Sequence, residues 1–210
     1  NQYQREEYKM AGWIVALRHA KNQIESEELP MTLAQERTYT IDDIYSLPEG
    51  QRAELIDGRM YMMAPPIRIH QKLVSQFTKI IGNYIDARHG TCEVYPAPFA
   101  VFLNEDDLNY LEPDISVICD KGKLNDRGCS GAPDWVIEIT SPSNPQNDYG
   151  IKLFKYRTAG VREYWIVNPQ KNTVMVYDLE NEEKSNQYTF EDDVPVCIYD
   201  DLSIRVLDLL

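Results

Sequence analysis

Apolar positions recur along this chain with two periods, and the changes from one to the other divide it into elements. Over 8–24, Ala11, Ile14, Ala16, Leu17 and Ala20 are spaced as on one face of an amphipathic helix. An acidic stretch, Glu25 to Glu36, follows with neither period, so 1–36 is expected to be an N-terminal helical extension to a domain spanning 37–210. At Thr40 a cap-type residue is followed three positions later by Asp43, and Pro48 ends the short helix that this predicts. Residues 53–63 are two apolar runs joined by Asp57-Gly58, the pair that supports a type I′ hairpin turn.

Beyond Pro65-Pro66, Ile69, Leu73, Phe77, Ile80, Ile81 and Tyr84 fall at helical spacing and predict a long helix over 68–88. Three strands are expected next, over 93–103, 110–118 and 134–140. A second helix over 147–159 closes at Gly160. Strands over 163–168 and 173–178 are joined by a short polar turn, and the acidic tail ends in a strand-like stretch from Leu202 to Leu207. This order of helix, three strands, helix and strand, with further strands at both margins, is that of an α/β (α+β) domain with one layered core.

Two carboxylates interrupt the pattern. Asp114 and Glu138 lie inside apolar strand segments, where an unpaired charge costs several kcal/mol to bury. A divalent cation held by both, by the main-chain carbonyl of Ile139 and by waters would offset that cost, and hard oxygen ligands suit Mg²⁺, with Mn²⁺ as a substitute. The plainer alternative has Asp114 capping a turn after Pro113 and Glu138 on a half-exposed strand. Asp148, Lys152 and Tyr156 follow at i, i+4 and i+8 on one face of the second helix. A lysine there could enter the carboxylate pair, orient an attacking water and offset charge in the transition state, but spacing alone favours an ordinary solvated Asp148–Lys152 pair. His70, at the start of the long helix, could touch the metal's water or a phosphate. Glu54 could add a metal contact or pair with Arg52 or Arg59.

Charge alters the picture only through its distribution. A formal charge of −13 disfavours contact with phosphate, but the acids outnumber the bases 11 to 7 over residues 1–60 and 10 to 2 over 178–210. Between them the count is 13 to 12, which leaves Lys72, Lys79, Lys155 and Arg157 as candidates for contact with a nucleic-acid backbone. No apolar stretch is long enough to span a membrane and the N-terminus is not signal-like, so a cytoplasmic protein is expected. The four cysteines, without CxxC spacing, are expected to be reduced thiols.

Pro113-Asp114, Glu138 and a downstream lysine, in this order of elements, resemble the PD-(D/E)xK superfamily. More closely, Glu54 to Gly58, His70, Glu112-Pro113-Asp114, Glu138 to Asn144 and the run from Asp148 through Lys152 and Tyr156 to Pro169 resemble the bacterial endonuclease family of the Uma-two type. The likeness spans roughly 38–208. It implies a restriction-endonuclease-like core, a mixed central sheet flanked by helices, and an Mg²⁺-dependent endonuclease acting on nucleic acid; it brings no substrate, and DNA is favoured over RNA. The superfamily's lysine stands two residues after the Glu, where this chain has Thr140, and the closer resemblance implies that Lys152 takes its role. Cutting both strands would call for a homodimer, with the 8–24 helix as one available surface. Two other readings stay open: a catalytically degenerate nucleic-acid-binding module of the same fold, and a metal-independent hydrolase using the carboxylates as acid and base.

Overall fold

The computed structural model describes residues 37–141 and 148–210, so the helix expected over 8–24 and the extension over 1–36 lie outside the described residues. A six-stranded sheet organises the domain. Its strands are β3 (Glu93–Pro96), β5 (Ile115–Ile118), β8 (Trp135–Ile139), β9 (Glu163–Asn168), β10 (Thr173–Asp178) and β11 (Asn186–Thr189), in the spatial order β11-β10-β9-β8-β5-β3. Within this sheet only the β8–β9 pair is parallel, and the second helix lies between these two strands in the sequence.

Side-chain alternation sorts the sheet into two faces. Ile115, Val117, Trp135, Ile137, Ile139, Trp165 and Val167 pack with Leu73, Phe77 and Ile81 of a long helix, here α2 (Arg68–Ala87). Ile118, Val136, Tyr164 and Ile166 face the other way, onto Tyr156 of α3 (Leu153–Ala159). Glu138 follows Val136 with the parity of the second face. A charged residue in β8 therefore points at α3, where its partners are found.

A smaller lobe carries the stretches that lead into the site. The short helix α1 (Ile41–Tyr45) starts where Asp43 accepts the backbone N–H of Thr40 at 2.9 Å. β1 (Ala53–Ile56) and β2 (Arg59–Met62) form the expected hairpin, and Asp57 and Gly58 both have positive φ, 50° and 73°, as a type I′ turn requires. β4 (Val101–Phe102), β6 (Leu124–Asn125) and β7 (Gly128–Ser130) form a three-stranded sheet, and β12 (Asp193–Pro195) pairs with β13 (Ser203–Arg205). Among the described residues no helix is long and apolar enough to cross a membrane.

Several expectations are corrected. The strand expected over 93–103 is two, β3 and β4, broken around Pro96 and Pro98, which offer no N–H to a ladder. The strand expected over 110–118 shortens to β5. Tyr110 and Leu111 instead bridge to Leu55 and Val101, and Pro113 separates them from the sheet, so Asp114 stands just before β5 rather than inside it. The second helix opens with a wide π-turn over Asp148–Lys152. The tail strand covers only Ser203–Arg205, and the chain turns into a 3₁₀ segment at Val206–Leu209. Two of the four cysteines are not thiols: Cys92 and Cys119, next to the Glu93↔Ile118 register pair of β3 and β5, form a disulfide. Their separation of 27 residues hides the pairing from any search by local spacing.

Candidate active site

Each carboxylate of the expected pair is anchored by one of its oxygens. Asp114 Oδ2 accepts the backbone N–H of Ile139 at 2.7 Å and lies 3.0 Å from His70 Nε2. Because a carboxylate only accepts, Nε2 carries the proton, and His70 serves to hold Asp114. Glu138 Oε1 accepts from Lys152 Nζ at 3.0 Å and from the Tyr156 hydroxyl at 2.8 Å. Among the described residues no donor meets Asp114 Oδ1 or Glu138 Oε2.

Lys152 is buried at the centre of the cluster, 6% exposed. Its ammonium lies 2.7 Å from Glu54 Oε2, 3.0 Å from Glu138 Oε1 and 3.7 Å from Asp148 Oδ1. The i, i+4, i+8 spacing thus places Asp148, Lys152 and Tyr156 inside the domain, against the solvated pair that spacing alone allows. Glu54 pairs with Lys152, not with Arg52. Its other oxygen accepts the N–H of Glu112 at 3.1 Å, while Glu112's carboxylate takes Arg52 and the Tyr110 hydroxyl. The paired bridges Leu55–Tyr110 and Val101–Leu111 hold this stretch, so the small lobe sets both Glu54 and the approach to Asp114.

Three carboxylates, Glu54, Glu138 and Asp148, share the one ammonium, and Asp114 stands beside them on His70 and the Ile139 N–H. Burial pushes the Glu138 carboxyl well above the usual range; Lys152 opposes this, and Asp114, Asp148 and Glu54 add to it. Burial also pushes Asp148 up, to about 6, with Lys152 opposing and Glu54 and Asp114 adding. Burial by itself would lower Lys152, but Glu138, Glu54 and Asp148 overcome it and keep the ammonium charged. The cluster holds more carboxylates than cations, and burial favours a proton or a cation beside Glu138 and Asp148.

A cavity of about 610 Å³ opens onto this cluster and is lined by Glu54, His70, Asp114, Glu138, Ile139, Asp148 and Lys152. Among the described residues no group of three or more His, Cys, Asp or Glu side chains could hold a metal ion, and Lys152 lies between Glu54, Glu138 and Asp148. The oxygens that remain, Asp114 Oδ1 and Glu138 Oε2, amount to two hard monodentate donors. That set fits Mg²⁺ or Mn²⁺, which keep several waters and need only one or two carboxylates, and does not fit an all-protein Zn²⁺ cage.

Two of the cations expected to meet a nucleic-acid backbone are engaged elsewhere: Lys155 pairs with Asp57 in the hairpin turn, and Arg157 with Glu182. Lys72 and Lys79 lie on α2, half-buried and exposed respectively. Sequence reasoning missed Tyr156 and Asp148 as members of the cluster. Their shared helical face with Lys152 was the signal available.

The profile of the Uma2 family, described as "Putative restriction endonuclease", matches residues 41–204. An uncharacterized protein of Synechocystis is 25% identical over 130 residues, covering 61% of this chain and 67% of that protein. A crystal structure described as that of a "putative nuclease belonging to DUF820", from Anabaena variabilis, is similar with a TM-score of 0.66 at 22% identity, covering 81% of this chain and 96% of the other. At that identity the likeness shows the fold.

Proposed function

This chain belongs to the Uma2 family, and on that premise we propose that it is an Mg²⁺-dependent endonuclease that hydrolyses phosphodiester bonds in DNA, with Mn²⁺ able to substitute. The observation that carries the reading is that Asp114 and Glu138, each with one oxygen free of protein donors, line a cavity whose acids outnumber its one ammonium. Asp114 and Glu138 would hold the ion, with the Ile139 carbonyl as a third donor. When bound, it would supply Lewis-acid polarisation of the scissile phosphate and a water of lowered pKa.

The protein's own groups do the positioning. Ile139 N–H and His70 fix Asp114; Lys152 and Tyr156 fix Glu138, so each carboxylate keeps one oxygen anchored and the other free of protein donors. Held as an ammonium by Glu54 and Glu138, Lys152 cannot serve as a base. It can orient the attacking water and stabilise the charge that develops on the phosphoryl oxygens. Glu54 is a positioning residue in this scheme, because it acts through Lys152.

The test is calorimetric titration of the metal-free protein with Mn²⁺. Asp114→Asn and Glu138→Gln are expected to weaken binding by at least about tenfold each. Affinity unchanged in both variants would remove the metal from this site and return the fold to a binding module.

A further inference from the structure

The cavity has a second wall unlike the acidic floor. It is a collar formed by the end of β2 and the segment after it, running from Met62 through Pro65 and Pro66 to Ile67. Met62 is 56% exposed and Ile67 53%, so apolar surface faces solvent right beside the carboxylates. The two prolines offer no N–H and keep this wall extended. The cations on the cavity wall are committed: Arg52 to Glu112, Lys152 to Glu54 and Glu138.

Cations without a carboxylate partner among the described residues begin just beyond Ile67, at Arg68, Lys72 and Lys79 of α2. At about 100° per residue these three positions fall within about 40° of one another on the face opposite Leu73, Phe77 and Ile81. They form one line that rises about 16 Å along the helix axis.

We propose that the collar and this helix face together take one strand of nucleic acid, with an unstacked base against Met62 and Ile67 and its backbone running along Arg68, Lys72 and Lys79. The substrate class is then single-stranded nucleic acid, or a frayed or displaced strand, in preference to an intact duplex. Glu138 and Lys152 are 4% and 6% exposed, so a phosphate must descend to the cavity floor to reach them. A paired, stacked strand can do so only by giving up its stacking, whereas an unpaired strand is free to bend. Apolar side chains meet any base face without reading its edge, and methionine adapts to the shape it meets. A single row of cations matches one backbone.

The proposal rests on the nuclease reading for its chemistry, and its test separates the two. The protein in EDTA is titrated into a fluorescently labelled oligo-dT and, separately, a labelled hairpin duplex of similar length, with anisotropy as the readout. The single strand is expected to bind at least about tenfold more tightly, and Met62→Glu or Ile67→Glu to remove about that much. The slope of log affinity against log salt should be about −2, and Lys72→Ala should flatten it by about 0.7. Equal or tighter binding of the duplex, no binding of either, or collar variants that bind like wild type would overturn the proposal. Repeating the titration with Mn²⁺ isolates the chemistry. Single-strand preference without cleavage keeps this inference and sinks the nuclease, whereas cleavage of the duplex without that preference keeps the nuclease and overturns this inference.

Discussion

On the cavity floor, Glu54, Glu138 and Asp148 surround the Lys152 ammonium, and Asp114 stands beside them held by His70 and the Ile139 N–H. Asp148 gives this arrangement a measurable consequence. Its carboxyl is raised from 3.8 to about 6, mainly by burial, so between those values the folded chain holds a proton that the unfolded chain has lost. Stability is therefore highest below about pH 4 with respect to this group and falls as pH rises through about 6, by about 3 kcal/mol. Glu138, also raised, acts in the same direction. A bound cation replaces the proton, so Mg²⁺ should raise the melting temperature clearly at pH 7.5 and little at pH 5. A rise of equal size at both pH values would show that the ion binds away from the acidic cluster. Asp114 and Glu138 were legible in the sequence because a charge inside an apolar run is anomalous. Tyr156 was legible only as sharing a helical face with Asp148 and Lys152; that its hydroxyl meets Glu138 follows from the fold.

At the scale of elements, strand parity and one glycine matter most. β8 sends Ile137 and Ile139 to α2 and Glu138 to α3, and this alternation was readable in the sequence, as were β9 and β10 to the residue. The split of the expected 110–118 strand was not, because it depends on Tyr110 and Leu111 finding Leu55 and Val101 far away in the chain. The same holds for the small sheet that braces them. Gly128 in β7 has a φ of +138°, and a Cβ there would stand 2.2 Å from the Ala100 carbonyl oxygen. Gly128→Ala should therefore destabilise the domain by at least about 2 kcal/mol in urea denaturation, since both the backbone and its neighbour must move. A change under about 0.5 kcal/mol would mean that this sheet yields freely and does not brace the approach to Asp114.

Over the whole molecule, charge and chemistry are kept apart. The acid excess sits at the two ends of the sequence, while Asp114, Glu138 and Asp148 of the middle line one cavity together with Glu54. Composition could report the first but not the second, because only the fold brings Glu54 within reach of a lysine 98 positions later. The family profile and the neighbouring structure account for the frame, and the metal-dependent cut is the proposed step. The most direct measurement is cleavage of a labelled DNA oligonucleotide as Mn²⁺ is titrated into wild type and Glu138→Gln. The account predicts a rate that rises with the metal in wild type and is about a hundredfold lower or more in the variant. Equal cleavage by both proteins, or cleavage that persists in EDTA, would contradict it.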